Sequence, residues 1–490
     1  MSGPDAVVPD ANRARVAFGM DVASFRRLRW TGPREARKGL AVDTLEQLEE
    51  QVRALLAAGD ADGIRAIMAD IRPSEFVDLA ADFTPEQVAE LLEAIPDEWR
   101  PDFLAELHPE QAADYIQTLP LEEAADLLEE MDPDDAADVF AELPDVQAEQ
   151  ILIQMEPEEA AELTELAAFP PESAGGIMTP AFVAISPTLR ADQAVVALRK
   201  VAEEAETVYY VYVIDEGEQF LGVLPLHRLV LSRPETPVGD LMVRDAVVAH
   251  ALDDQEAVAR LITDYNLLAV PVVDEDHRLI GIVTQDDIAD VLEAEATEDI
   301  ERLGGSSPLD VSYRRAPIGL LVRRRLPWLL FLFIAGAYTS SVLKFFEDIS
   351  IEVVALSFFI PLLTGTGGNV GSQTVATLVR AMAVDEVQLH DVRWVLVKEA
   401  TVGVIMGAVM AIVALGRAEL LGVGSDVGLV VAITIALICV WAATVAAVLP
   451  LVLKKLKVDP AVVSAPVITT LVDGTGLFIY FTTAKLILNV

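Results

Sequence analysis

Three rhythms of apolar and polar residues succeed one another along the chain. Between residues 72 and 169 prolines recur at 73, 85, 96, 109, 120, 133, 144 and 157, and each interval holds one short amphipathic pattern such as Pro109-Glu110-Gln111-Ala112-Ala113-Asp114-Tyr115-Ile116. Proline suits the first helical turn, whose N–H has no intrahelical acceptor, so every interval predicts a short helix and two helices make a repeat of 24 residues. Units of that size bury their apolar faces only against their neighbours, which predicts an α-superhelix over residues 45–172. From 173 to 292 strand-length apolar runs alternate with helical patterns, and the arrangement occurs twice. Met178-Thr179-Pro180 opens a copy with strands at 209–214 and 220–224; Leu241-Met242-Val243 opens a second with strands at 268–274 and 279–284. Residues 293–325 predict a connecting helix interrupted at Gly304-Gly305-Ser306-Ser307-Pro308. The third rhythm is five apolar stretches, 326–345, 350–380, 393–416, 427–453 and 460–488, each long enough to cross ~30 Å of hydrocarbon. The chain therefore predicts a multidomain α and α/β membrane protein.

Charge sharpens this division. Residues 1–325 hold 67 acids and 26 bases, a net of −41, whereas residues 326–490 hold 11 acids and 9 bases. A field of that sign repels nucleic acid and anionic lipid and attracts divalent cations. Basic residues flanking the spans fall mostly on one side: Arg314, Arg315, Arg323, Arg324, Arg325, Arg380, Arg393, Lys398, Lys454, Lys455 and Lys457, against Lys344, Arg417 and Lys485. That asymmetry predicts a cytoplasmic amino terminus and an extracytoplasmic carboxy terminus. Met1 to Asp10 has no basic stretch followed by an apolar one, so no signal peptide is expected. Residues 1–44 read as a basic tail, either lying on the acidic body or membrane surface or disordered. The single cysteine, Cys439, has no partner in its own chain, which suits a cytoplasmic soluble portion.

Asp473 is the one acid in the last apolar stretch. A carboxylate there costs ~2.5–3.5 kcal/mol on the insertion scale, so it marks an aqueous cavity, a cation or a partner, the alternative being a hydrogen-bonded structural acid. Pro466, Thr470 and Asp473 follow at spacings of four and three and share one helix face. The second stretch carries Thr364-Gly365-Thr366-Gly367-Gly368-Asn369-Val370-Gly371-Ser372, which lacks the Gly-Lys-Ser/Thr ending of a phosphate loop. Its glycines either let two backbones approach closely or free carbonyls to line a wet cavity. Residues 365–369 and Asp473 lie at about the same depth, ~20 Å in from opposite ends of their spans at 1.5 Å per residue. Carboxylate, amide, hydroxyl and carbonyl oxygens are hard donors that suit Mg²⁺ or Ca²⁺. No nucleophile with its base and no histidine metal cluster argues for an enzyme.

The tandem over 173–292 resembles a pair of cystathionine-β-synthase-type (CBS) domains. The resemblance implies an adenine nucleotide such as ATP at Thr284 and Asp287, which with Gly281 match that family's ribose-contact pattern; the first copy has Pro225 and Arg228 there. The order of superhelix, CBS pair, connecting helix and five spans, with Thr-Gly-Thr-Gly-Gly-Asn at 364–369 and Pro466, Thr470, Asp473 and Gly474 in the last span, resembles the MgtE family of magnesium channels over about residues 45–490. That implies a homodimer in the cell (inner) membrane that passes Mg²⁺ inward near the subunit interface. Asp473 of each subunit would bind the hydrated ion, with Asn369 lining the path. Ala465 stands where the family has a second asparagine. The resemblance also implies that cytosolic Mg²⁺ closes the channel by bridging acids, and the matching positions are Asp134, Asp138, Asp287, Asp290, Glu295, Glu298, Asp299 and Asp459, with Asn266 replacing one family acid. A proton-coupled cation exchanger and a non-transporting metal or nucleotide sensor are the competing expectations.

Overall fold

The computed structural model describes residues 42–489 apart from 82, 202–204, 310–312, 314–315, 385 and 463–464. The basic tail up to residue 41, and Arg314 and Arg315 of the flanking charges, lie outside the described residues. The chain divides after Glu293 into two compact units.

The first unit opens with helices Val42–Ala58 and Ala61–Met68, and the proline rhythm then takes effect. Helices Pro73–Ala80, Pro85–Glu93, Pro109–Ile116, Pro133–Ala141 and Pro157–Leu166 carry proline at the first helical position. Leu121–Glu130 and Asp145–Leu152 take theirs as the cap just before it. Pro96 departs from the rule: it leads into a 3-10 turn, Asp97–Trp99, and the helix starts only at Arg100. Pro101 takes the first-turn place in that helix, and buried Arg100 before it donates from its Nε to the Leu92 carbonyl at 3.2 Å while its guanidinium reaches Asp97 at 2.6 Å. Helices two apart in sequence pack on one another, which builds the superhelix as two rows. Its core runs without a break into Ala174, Met178, Val258, Ile262, Val270, Val283, Ile288 and Val291.

Each α/β copy forms a three-stranded sheet. The first has β1 (Ala184–Ile185), β2 (Tyr210–Ile214) and β3 (Phe220–Pro225), the second β4 (Ala249–His250), β5 (Ala269–Val273) and β6 (Leu279–Thr284), with the short strand parallel to its neighbour and the long pair antiparallel. The two-residue strands β1 and β4 are too short for any alternation to announce. Each copy's opening segment crosses to the other: Thr179 exchanges backbone hydrogen bonds with Ile282, and Val243 with Val223. Phe182, Tyr212, Phe220, Val273 and Ile282 fill the space between the sheets.

The connecting helix and the spans differ from expectation in their limits. The helix runs Gln285–Leu303, beginning eight residues before the predicted 293, where the Asp287 carboxylate accepts both the N–H and the hydroxyl of Thr284 just ahead of the first turn. It stops at the predicted glycine break. The spans are Ile318–Phe345, Val354–Ala383 (3-10 up to Phe359, helical from Ile360), Leu389–Leu421, Ser425–Lys455 and Ala465–Leu488. Span one thus takes in Arg323 to Arg325, which were assigned to the connection, since helical hydrogen bonding continues regardless of side-chain polarity. Span four packs on spans two, three and five, while span one touches span five and exposes Leu329, Leu330, Phe333 and Ile334.

Residues 364–371 are helical throughout, so their carbonyls serve the helix ladder and are not freed to line a cavity. Close approach is the reading that holds. A methyl group at Gly367 would sit 2.7 Å from Ile438 and 2.8 Å from Val472, and one at Gly371 would sit 2.4 Å from Ile468. In full-length protein in detergent, Gly371→Val should destabilise the membrane domain by ~1–3 kcal/mol through overpacking. Gly365→Ala, where a methyl meets nothing within 4 Å, should leave the melting temperature nearly unchanged. Equal melting of the two variants would show that the seam does not hold the bundle.

Candidate cation path and acidic clusters

Spans two and five run antiparallel, and their contacts fix a register. Gly371 lies against Ile468, Gly368 against Thr469 and Gly367 against Val472. Continuing that ladder sets Thr366 level with Asp473 and Asn369 level with Thr470. Asn369 therefore lies about one helical turn, ~5 Å, nearer the start of span five than Asp473, while Thr366, within the stretch 365–369 expected at that depth, shares its level.

Asp473 is half-buried, and its Oδ1 is enclosed without a hydrogen-bond partner among the described residues. The next residue, Gly474, is pressed beneath Tyr338 and Thr339 of span one; a methyl there would come 2.3 Å from the tyrosine ring. On the same face the Thr470 hydroxyl donates to the Pro466 carbonyl at 2.9 Å, and across the seam Thr366 donates to Leu362 at 2.7 Å. With their hydrogens turned back along the helix, these hydroxyls offer only lone pairs outward, as a cation or the hydrogens of its hydration water require. Gly365, Asn369, Gln373, Thr377 and Arg380 form one exposed stripe along span two. Unpartnered amides cost several kcal/mol in hydrocarbon, so that stripe needs water or a second polar surface.

One membrane acid escaped the sequence reading. Glu399 of span three accepts a hydrogen bond from buried Thr374 of span two at 3.4 Å, beside Lys398, whose ammonium lies 4.7 Å from the Trp394 ring centre. Its signal was available: Glu399 is the one acid in the apolar run 393–416.

In the first unit the expected acids meet. Asp134 and Asp135 are held well above the usual carboxylate range by burial and then by neighbouring charges, Asp287 foremost for Asp134 and Asp134 foremost for Asp135. Asp287 is itself raised by burial, against the lowering effect of the Thr284 hydroxyl, which donates to it at 2.5 Å. Burial and Glu142 push Asp138 up to about 6. Asp290 is raised by burial and Glu293, and Glu106 is raised by burial and then by the charge of Asp290. Asp135 and Glu106 carried no sequence signal beyond charge on a helix face. In the second unit Glu298 and Asp459 both pair with Arg302, while Glu295 and Asp299 lie half-exposed along the same helix. Among the described residues no three histidine, cysteine or acidic side chains gather into a ready metal cage. The donors are all oxygens, which suits Mg²⁺ held through its water.

Residues 360–483 match the family model described as a divalent cation transporter (MgtE), residues 71–172 the MgtE intracellular N domain, and residues 238–294 the CBS domain. The chain is 42% identical over 328 residues to the magnesium transporter MgtE of Thermus thermophilus, covering 67% of this chain and 73% of that one. It is 40% identical to the magnesium transporter MgtE of Bacillus subtilis over 64% of this chain and 70% of that one. A solved cytosolic domain of the Mg²⁺ channel MgtE in complex with ATP is 35% identical, covers 50% of this chain and 99% of that one, and has a TM-score of 0.47. A chain with this seam, this membrane carboxylate and these matches belongs to the MgtE family of magnesium transporters.

Proposed function

We propose that the chain is a Mg²⁺ channel working as a homodimer in the cell membrane, with its amino terminus in the cytoplasm, its carboxy terminus outside and flow directed inward. The observation that carries this reading is the enclosed, unpartnered Oδ1 of Asp473 on a face shared with Thr470. A second copy related by a two-fold axis would cover the exposed Asn369 stripe and bring two such faces to one path. Paired carboxylates then select a divalent ion that keeps its water, since Mg²⁺ dehydrates reluctantly. Ala465 withdraws one amide from the start of span five and leaves more of that selection to Asp473 and Asn369. The flanking bases Arg323 to Arg325, Arg380 and Lys454 to Lys457 support the orientation.

Cytosolic Mg²⁺ closes the channel in this reading. Asp134, Asp135, Asp138, Asp287 and Asp290 are crowded by packing and repel until a cation neutralises them, so Mg²⁺ favours the packed first unit and its loss releases it. Thr284 and Asp287 also offer an adenine nucleotide its ribose contact. Because Asp287 faces Asp134, nucleotide and Mg²⁺ binding would be coupled there.

Asp473→Ala should cut Mg²⁺ flux into proteoliposomes roughly ten- to hundredfold, the scale of losing a ~1.5–3 kcal/mol charge-assisted contact. Parent-rate flux in that variant removes Asp473 from the path. A pH dependence follows from the first unit. Folded-state values raised above 3.8, to about 6 for Asp138, mean that the native state holds extra protons between those limits. The associated stability is fully present below the unfolded value and is lost as pH rises through the folded one. In divalent-free buffer the first unit of full-length protein should therefore melt higher at pH 5 than at pH 7. Added Mg²⁺ should recover the difference at pH 7, and Asp134→Asn with Asp138→Asn should flatten it. A melting temperature that climbs from pH 5 to pH 7 without Mg²⁺ would overturn the repulsion argument.

A further inference from the structure

The end of the connecting helix is fastened within the second unit by several contacts. Arg302, in its last turn, places one guanidinium nitrogen on Glu298 of the same helix and another on Asp459, just before span five. Asp459 is held in place by its other oxygen, which accepts the Ala461 N–H at 2.8 Å. The helix then ends in a Schellman motif: Ser306 N–H donates to Glu301 and Gly305 N–H to Arg302. Gly305 has φ +76°, and a methyl there would meet the Trp328 ring at 2.5 Å and Pro466 at 3.4 Å. Leu303 packs on the membrane core. Glu301 accepts the Leu309 N–H at 2.7 Å, and Ser307 N–H reaches the Arg324 carbonyl at 3.2 Å.

Two carboxylates on separate elements, Glu298 and Asp459, are thus joined by a cation that belongs to the chain. A planar guanidinium bridges two carboxylates as a divalent ion would, with fixed geometry and a charge that cannot be removed by dilution. We infer that Arg302 is a positioning residue that keeps the end of the connecting helix docked on span five whether or not Mg²⁺ is bound. Residues 302–305 are then the fixed pivot of the gate, and the part of the helix before Glu298 is the part that moves. Glu298 and Asp459, positions that the family resemblance gives to Mg²⁺, are the two carboxylates that this tether joins. The inference deepens the gating reading and rests on it.

The test uses full-length protein in which Cys439→Ala removes the one native cysteine and Ser307→Cys carries a bimane label, quenched on contact by Trp328. The label should stay quenched with and without Mg²⁺. Arg302→Ala leaves two carboxylates facing each other, so quenching should be lost in Mg²⁺-free buffer and return when Mg²⁺ is added. In proteoliposomes the same variant should need several-fold more Mg²⁺ for half-closure. Arg302→Lys should keep part of the Mg²⁺-independent quenching, and Arg302→Asp combined with Asp459→Arg should restore it where Arg302→Asp alone does not; these variants decide the matter if Arg302→Ala melts abnormally. Two results overturn the tether: an Arg302→Ala label as quenched without Mg²⁺ as the parent's, or a parent label released by Mg²⁺ removal. Absence of Asp473-dependent flux in the parent would overturn the channel reading instead, and the quenching measurement does not depend on it.

Discussion

The close approach of spans two and five is the contact on which the membrane domain depends. Lipid supplies no hydrophobic drive between helices, so their association rests on van der Waals packing, and side chains at Gly367, Gly368 and Gly371 would hold the backbones apart. That seam sets the register, and the register decides what shares a level: Thr366 with Asp473, Asn369 with Thr470. It also turns the remaining face of span two outward, with Gly365, Asn369, Gln373, Thr377 and Arg380 exposed on it. A packing requirement in one row of residues thereby creates the polar row beside it.

The soluble unit works on the opposite principle. Its helices and its second sheet share a continuous apolar core from Val52 to Val291, and that core brings together carboxylates that repel. Asp134 and Asp287 lie about 150 residues apart in the sequence, yet burial and then the charge of Asp287 raise the affinity of Asp134 for a proton. Hydrophobic packing does the assembling, and electrostatic repulsion stores a bias that a cation can release. At the connecting helix the chain applies a different solution to the same problem, with Arg302 supplying the positive charge between Glu298 and Asp459.

Much of the architecture was legible from periodicity, because periodicity is local. A proline every dozen residues marks helix starts, and all but Pro96 did so directly; after Pro96 a 3-10 turn intervenes and Pro101 stands in the first turn of the helix instead. The glycine break after Leu303 and the five spans were read from composition, whereas their limits moved with caps and turns, as at Thr284 and at Ile360. Asp473 was visible because an acid in an apolar stretch is conspicuous, and Glu399 would have been visible by the same rule. Asp135, Glu106 and Arg302 were not, since a charge on an amphipathic helix looks the same in sequence whether it meets solvent or another charge.

By itself, then, the sequence determined the helical repeats, the four longer strands and the spans, where the negative charge lies, and that one carboxylate must find company inside the membrane. Each of these follows from short-range rules of backbone hydrogen bonding and of transfer between water and hydrocarbon. Tertiary structure alone decided that residues 364–371 remain helical, that Asn369 sits a turn away from Asp473, and that Asp459 meets an arginine. Those outcomes depend on which surfaces of distant segments fit together, and complementarity of shape and charge between distant segments leaves no periodic trace along the chain.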